Sequence, residues 1–150
     1  MLRDWIYDKR ITSNSASKPV YQIPVDAWVV GEKLGVPLMQ NEAIDMLAQT
    51  VSQSKATALL TLDYACLTVD AGCDLREAAA AFAVHSHGKA LLDGDCKKHW
   101  SEETYVEVLG LLLTKSKLFS KLDRCAYHDH PDGLRCPTAS KKRKRLLTSN

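Results

Sequence analysis

No part of this chain is apolar for long. The longest uninterrupted run, Ala78 to Val84, falls far short of the roughly 20 residues that span a bilayer, which excludes a transmembrane segment. The N-terminus lacks the apolar core of a secretory signal and presents Arg3, Asp4, Asp8, Lys9 and Arg10 instead. The five cysteines (Cys66, Cys73, Cys96, Cys125 and Cys136) cannot all pair within the chain, and a reducing, intracellular compartment is expected. Catalytic signatures are missing too. There is no G-x-S-x-G elbow, no H-E-x-x-H helix, no G-x-x-x-x-G-K loop and no G-x-G-x-x-G turn. Repeats of solenoid length are absent, and acidic residues stop at Asp132.

What is present suits a globular protein. A chain of 150 residues with 45% hydrophobic and 25% charged residues can build one compact core. Its net charge of +2 is unevenly spread, because Lys141, Lys142, Arg143, Lys144 and Arg145 lie together behind the last acid. Residues 1–140 therefore hold fifteen basic against eighteen acidic residues, a net −3. An acidic body argues against a broad phosphate-binding face and leaves only weak nucleic-acid contact through the tail. Five adjacent cations are also the compact patch that import receptors read, so the expected location is nuclear as well as cytoplasmic.

Periodicity predicts a mainly α fold, a helical hairpin followed by about three further helices. Val25, Trp28 and Val29 recur at i, i+3, i+4 on a first helix from Val25 to Leu34, which Gly35 can end. Pro37 suits the first turn of the second arm, where Ile44, Leu47, Ala48 and Val51 continue the pattern as far as Ser54. A third helix is expected from Thr57 to about Val69, with Leu59, Leu62, Cys66 and Val69 on one face. Asp74 is the expected N-cap of a fourth, on which Leu75, Ala78, Ala79 and Phe82 share a face. The fifth has several agreeing start signals. Ser101 can cap it, Glu102 and Glu103 face the positive dipole end, and Trp100 can staple onto Tyr105. Its buried stripe is Tyr105, Val108, Leu109 and Leu112, with Lys115 and Lys117 towards its end. The chain thus divides into a helical region (1–122), a Cys/His-containing segment (123–137) and a basic disordered tail (138–150).

Several segments, in order, resemble the later part of a fungal BTB/POZ domain protein. Leu2 to Ile11 (LRDWIYDKRI) is similar to the family's W-L-Y-T-G-x-I stretch, with Asp8 and Lys9 in place of its Thr and Gly. Ala27 to Leu47 (AWVVGEKLGVPLMQNEAIDML) resembles its hairpin motif, a helix, a G-x-P turn and an L-Q-N-x-A-I-D run. Thr68 to Arg76 (TVDAGCDLR) is similar to the acidic-Gly turn before a Leu-Arg helix, and Cys125 to His130 (CAYHDH) to a terminal C-x-[YF]-H-x-H segment. The resemblance implies a non-enzymatic protein-interaction module. It also implies that the chain begins after the strand-rich first half of such a domain, which carries the main dimer contacts. The hairpin face of Trp28, Val29, Ile44, Leu47 and Val51 is then expected to lack part of its cover and to bind a protein partner or a second copy.

Two other sets of residues could carry chemistry. Cys125, His128, His130 and Cys136 form a C-x2-H-x-H-x5-C pattern whose thiols and imidazoles could hold zinc, with Cys96 and His99 as alternative ligands. The spacing is not that of a standard finger, so no cofactor is expected and the residues read as partly buried thiols and solvated histidines. The alternative is a small nuclear zinc-binding or nucleic-acid-associated factor using this segment and the basic tail. His85 and His87 flank Ser86, yet i and i+2 positions point to different sides of a helix and cannot serve one substrate atom. They read as a polar helix end, and Trp5, Trp28 and Trp100 as core or staple residues.

Overall fold

The computed structural model describes Ile11 and residues 18–92, 100–114 and 124–130. Those residues form five α-helices and no strand, the mainly helical architecture that the periodicity predicts. Helix α1 (Ile23–Leu34) follows a short 3₁₀ turn (Val20–Gln22) and pairs with α2 (Pro37–Gln53) as the hairpin. Between them Gly35 adopts φ 62° and ψ 42°, where a side chain would be strained. The Gly35 N–H donates to Glu32 O at 3.1 Å and the Val36 N–H to Gly31 O at 2.8 Å, which closes the helix with a Schellman turn. Pro37 then occupies the first turn of α2, where its missing N–H costs nothing.

Ser54 ends α2 and starts α3 (Lys55–Thr68). Its Oγ accepts from the Thr57 N–H at 3.1 Å, so α3 begins two residues before the expected Thr57. Helix α4 (Asp74–His87) starts one residue earlier than expected as well. Cys73 holds the N-cap position, and Asp74 is the first helical residue, helping through the dipole rather than through a side-chain cap. At α5 (Glu102–Thr114) the expected start holds. The Thr104 N–H donates to Ser101 Oγ at 3.3 Å, and the Trp100 and Tyr105 rings lie 6.2 Å apart. Lys115 and Lys117 lie outside the described residues.

Helix α4 is the centre of the molecule and packs on α2, α3 and α5. Seven consecutive residues, Ala78 to Val84, are buried, so no face of this stretch meets water. Its alanines let neighbouring helices approach closely and have the highest helix propensity. Phe82 fills the remaining space beside α2 and the 3₁₀ turn Arg124–Tyr127, its ring 5.6 Å from that of Tyr127 in an edge-to-face contact. The hairpin is tight for a related reason. A Cβ on Gly31 would meet Gln40 Cγ at 2.9 Å and Gln40 N at 3.1 Å, so α1 and α2 approach closely only with glycine there.

Candidate functional site

The hairpin face expected to await a partner is closed. Ile44, Leu47 and Val51 have no exposed surface, Trp28 is 6% exposed, and Val29 is half-buried against the same core. Helices α3 and α4 of the chain itself supply the cover. Periodicity says which face of a helix is buried and not which segment buries it.

The described part of the Cys/His segment docks on α2. Asn41 Nδ2 donates to Asp129 O at 2.8 Å, and the Asp129 N–H donates to Asn41 Oδ1 at 2.8 Å. One turn further along α2, Asp45 Oδ1 lies 3.6 Å from His128 Nε2 and 3.9 Å from Arg124 Nη1. His128 is not solvated as expected, since its side chain is only 2% exposed. Burial pushes the neighbouring Tyr127 phenol above its ordinary range.

Of the three described residues with zinc-ligand spacing, Cys125, His128 and His130, the structure brings two together. Cys125 Sγ and His130 Nε2 are 3.0 Å apart, whereas the His128 ring, 6.0 Å from that of His130, is turned towards Asp45. Among the described residues no three His, Cys, Asp or Glu side chains are gathered as a metal would require. Cys136 and the alternative ligands Cys96 and His99 lie outside the described residues, as do Trp5 and the basic run Lys141, Lys142, Arg143, Lys144 and Arg145.

His85 and His87 diverge as their spacing requires. His85 and Ser86 line a cavity of about 440 Å³ with Ala48, Ser52, Phe82 and Arg124. His87 turns instead to the chain, its Nε2 2.9 Å from Val51 O.

The surface that sequence reasoning missed is a groove of about 720 Å³ between the end of α3 and the start of α5. Leu67 and Val106 stand on its walls at 72% and 61% exposed, large apolar side chains that the fold leaves in water. Further along α5, Leu113 is 79% exposed, seven residues from Val106 and therefore on the same face. An ionic cluster centred on the buried Arg76 lines the groove. Arg76 of α4 reaches Glu107 with Nε–Oε2 at 2.5 Å and Glu103 with Nη2–Oε2 at 3.8 Å, and Cys66 Sγ lies 3.5 Å from the same Glu107 oxygen. Burial raises the Cys66 thiol to about 11, and the Glu107 carboxylate beside it acts in the same direction. Asp63 of α3 accepts from the Ser101 N–H at 3.3 Å and the Thr104 hydroxyl at 3.2 Å, fixing the N-terminus of α5 at the rim. The only sequence hint was that Leu67 and Val106 fall outside the predicted buried stripes of their helices.

No helix among the described residues is long and apolar enough to cross a membrane. No protein family, curated protein or solved structure matches the chain.

Proposed function

We propose that this chain is a non-enzymatic protein-interaction module, akin to the helical later part of a BTB/POZ protein, and that it docks partners on the groove between α3 and α5. The observation that carries the reading is the pair Leu67 and Val106, both mostly exposed and both on one concave surface that carboxylates also line. Two of the stretches on which the resemblance rests meet in the fold. Asn41 and Asp45 of the L-Q-N-x-A-I-D run are the α2 residues that face the C-A-Y-H-D-H segment. Import into the nucleus through Lys141 to Arg145 belongs to the same reading, and alanine at all five positions then shifts a tagged chain towards the cytoplasm.

Proximity labelling in cells tests the docking role. Proteins marked by the chain and lost with the double variant Leu67→Ser/Val106→Ser are the expected result. An identical set from both forms overturns it. The zinc-binding alternative draws on the single contact between Cys125 and His130. One zinc per chain by elemental analysis, lost on replacing Cys125 with serine, would favour that reading over the first.

A further inference from the structure

Resting on the reading of the chain as an interaction module, we propose that the occupant of the α3/α5 groove is a basic amphipathic helix of another protein. Charge is the first argument. Four carboxylates (Asp70, Glu102, Glu103 and Glu107) line the groove against one guanidinium, Arg76. That cation is turned inwards, its side chain 8% exposed, and is engaged by Glu107 and more distantly by Glu103. Asp70 and Glu102 remain exposed, and the Glu103 side chain is 73% exposed, so the surface that an approaching partner meets is negative. The N-terminus of α5 offsets about half a charge, too little to reverse that sign.

The second argument is shape. Val106, Gly110 and Leu113 occupy i, i+4 and i+7 on the open face of α5. Gly110, exposed and without a side chain, leaves a low point on the helix surface between two projecting apolar side chains. A ridge with a saddle, beside a concave wall carrying Leu67, matches the i, i+3/i+4, i+7 anchors of a helix laid in a groove. Lys or Arg on the flanks of such a helix would meet Asp70, Glu102 and Glu103. The body of a second copy is a poor occupant, because residues 1–140 carry a net −3, and the chain's own basic run is distinguished by the test below.

Fluorescence anisotropy with the full chain tests this. The probes are three synthetic helical peptides of roughly four turns that share Leu at the anchor positions and carry Lys, Gln or Glu elsewhere. The Lys peptide is expected to bind at least about tenfold more tightly than the Gln peptide at low salt, with the advantage shrinking in 0.5 M NaCl. Leu67→Ser/Val106→Ser should abolish binding, and Asp70→Asn/Glu102→Gln should weaken the Lys peptide alone. Equal or tighter binding of the Gln or Glu peptide, lost in Leu67→Ser/Val106→Ser, overturns the basic partner and leaves the interaction module standing. Binding of the Lys peptide only after Lys141 to Arg145 are all replaced by alanine assigns the groove to the chain's own basic run and overturns the proposal. Failure of every peptide with both forms overturns the groove as a docking surface and the proposed function with it.

Discussion

Asn41 and Asp129, 88 positions apart, exchange two hydrogen bonds in which the amide side chain pairs with a peptide group as one backbone pairs with another. This contact anchors the Cys125–His130 stretch on α2, with the buried His128 beside it. Both bonds are exposed to solvent, so their net worth lies at the lower end of the usual range.

Asn41→Ala should therefore lower stability by about 1 kcal/mol while freeing the docked stretch. Urea unfolding reads the first effect. Alkylation of Cys125 under native conditions, followed by site-resolved mass spectrometry, reads the second and should accelerate. An unchanged Cys125 rate would show that Phe82, Tyr127 and Asp45 hold the stretch without Asn41.

The Arg76–Glu107 pair joins α4 to α5 in a largely buried setting, with side chains 8% and 20% exposed. Removing Glu107 strands a guanidinium that retains only the more distant Glu103, so Glu107→Leu should cost about 3 kcal/mol. Replacing both partners, Arg76→Met with Glu107→Leu, should cost less than the single change, since no buried charge is left uncompensated. A double-mutant cycle in chemical denaturation gives the comparison. A double variant less stable than Glu107→Leu would refute it.

Stability should fall as the solution becomes alkaline. The Cys66 thiol is held up at about 11 in the fold against an ordinary 9.0, so the folded chain keeps a proton that the unfolded chain has released. The contribution is complete below pH 9 and is lost as pH rises from about 9 to about 11, an effect on the order of 2 kcal/mol. Tyr64 and Tyr127 are raised by burial and act in the same direction above their ordinary 10.0. The Cys66 share is therefore the difference between the chain and Cys66→Ala. Equal pH slopes for the two would remove the thiol as the cause.

Two glycines should respond oppositely to alanine. At Gly31 the added methyl meets Gln40 Cγ at 2.9 Å and the Gln40 backbone N at 3.1 Å, and separating α1 from α2 should cost about 1 to 2 kcal/mol. At Gly110 the added methyl meets nothing within 4 Å, and the helix gains about 0.5 to 1 kcal/mol from the better helix former. Thermal denaturation of both variants checks the contrast. Stabilisation at Gly31 would show that the hairpin has room that its glycine does not indicate.

Local chemistry was legible in the chain. The left-handed turn at Gly35, Pro37 at the head of α2, and the Ser101 cap with its Trp100–Tyr105 staple all involve residues within a few positions of one another. So did the apolar faces, because a 3.6-residue period records which side of a helix avoids water. Tertiary structure alone decided what meets those faces. That α4 covers the hairpin, that Arg76 finds Glu107 thirty-one positions away, and that His128 turns to Asp45 are pairings between distant segments. Many segments of equal polarity compete for each such pairing, and only packing the whole chain at once selects among them. The α3/α5 groove belongs to this second class, for it is made of the surface left over when that packing is complete.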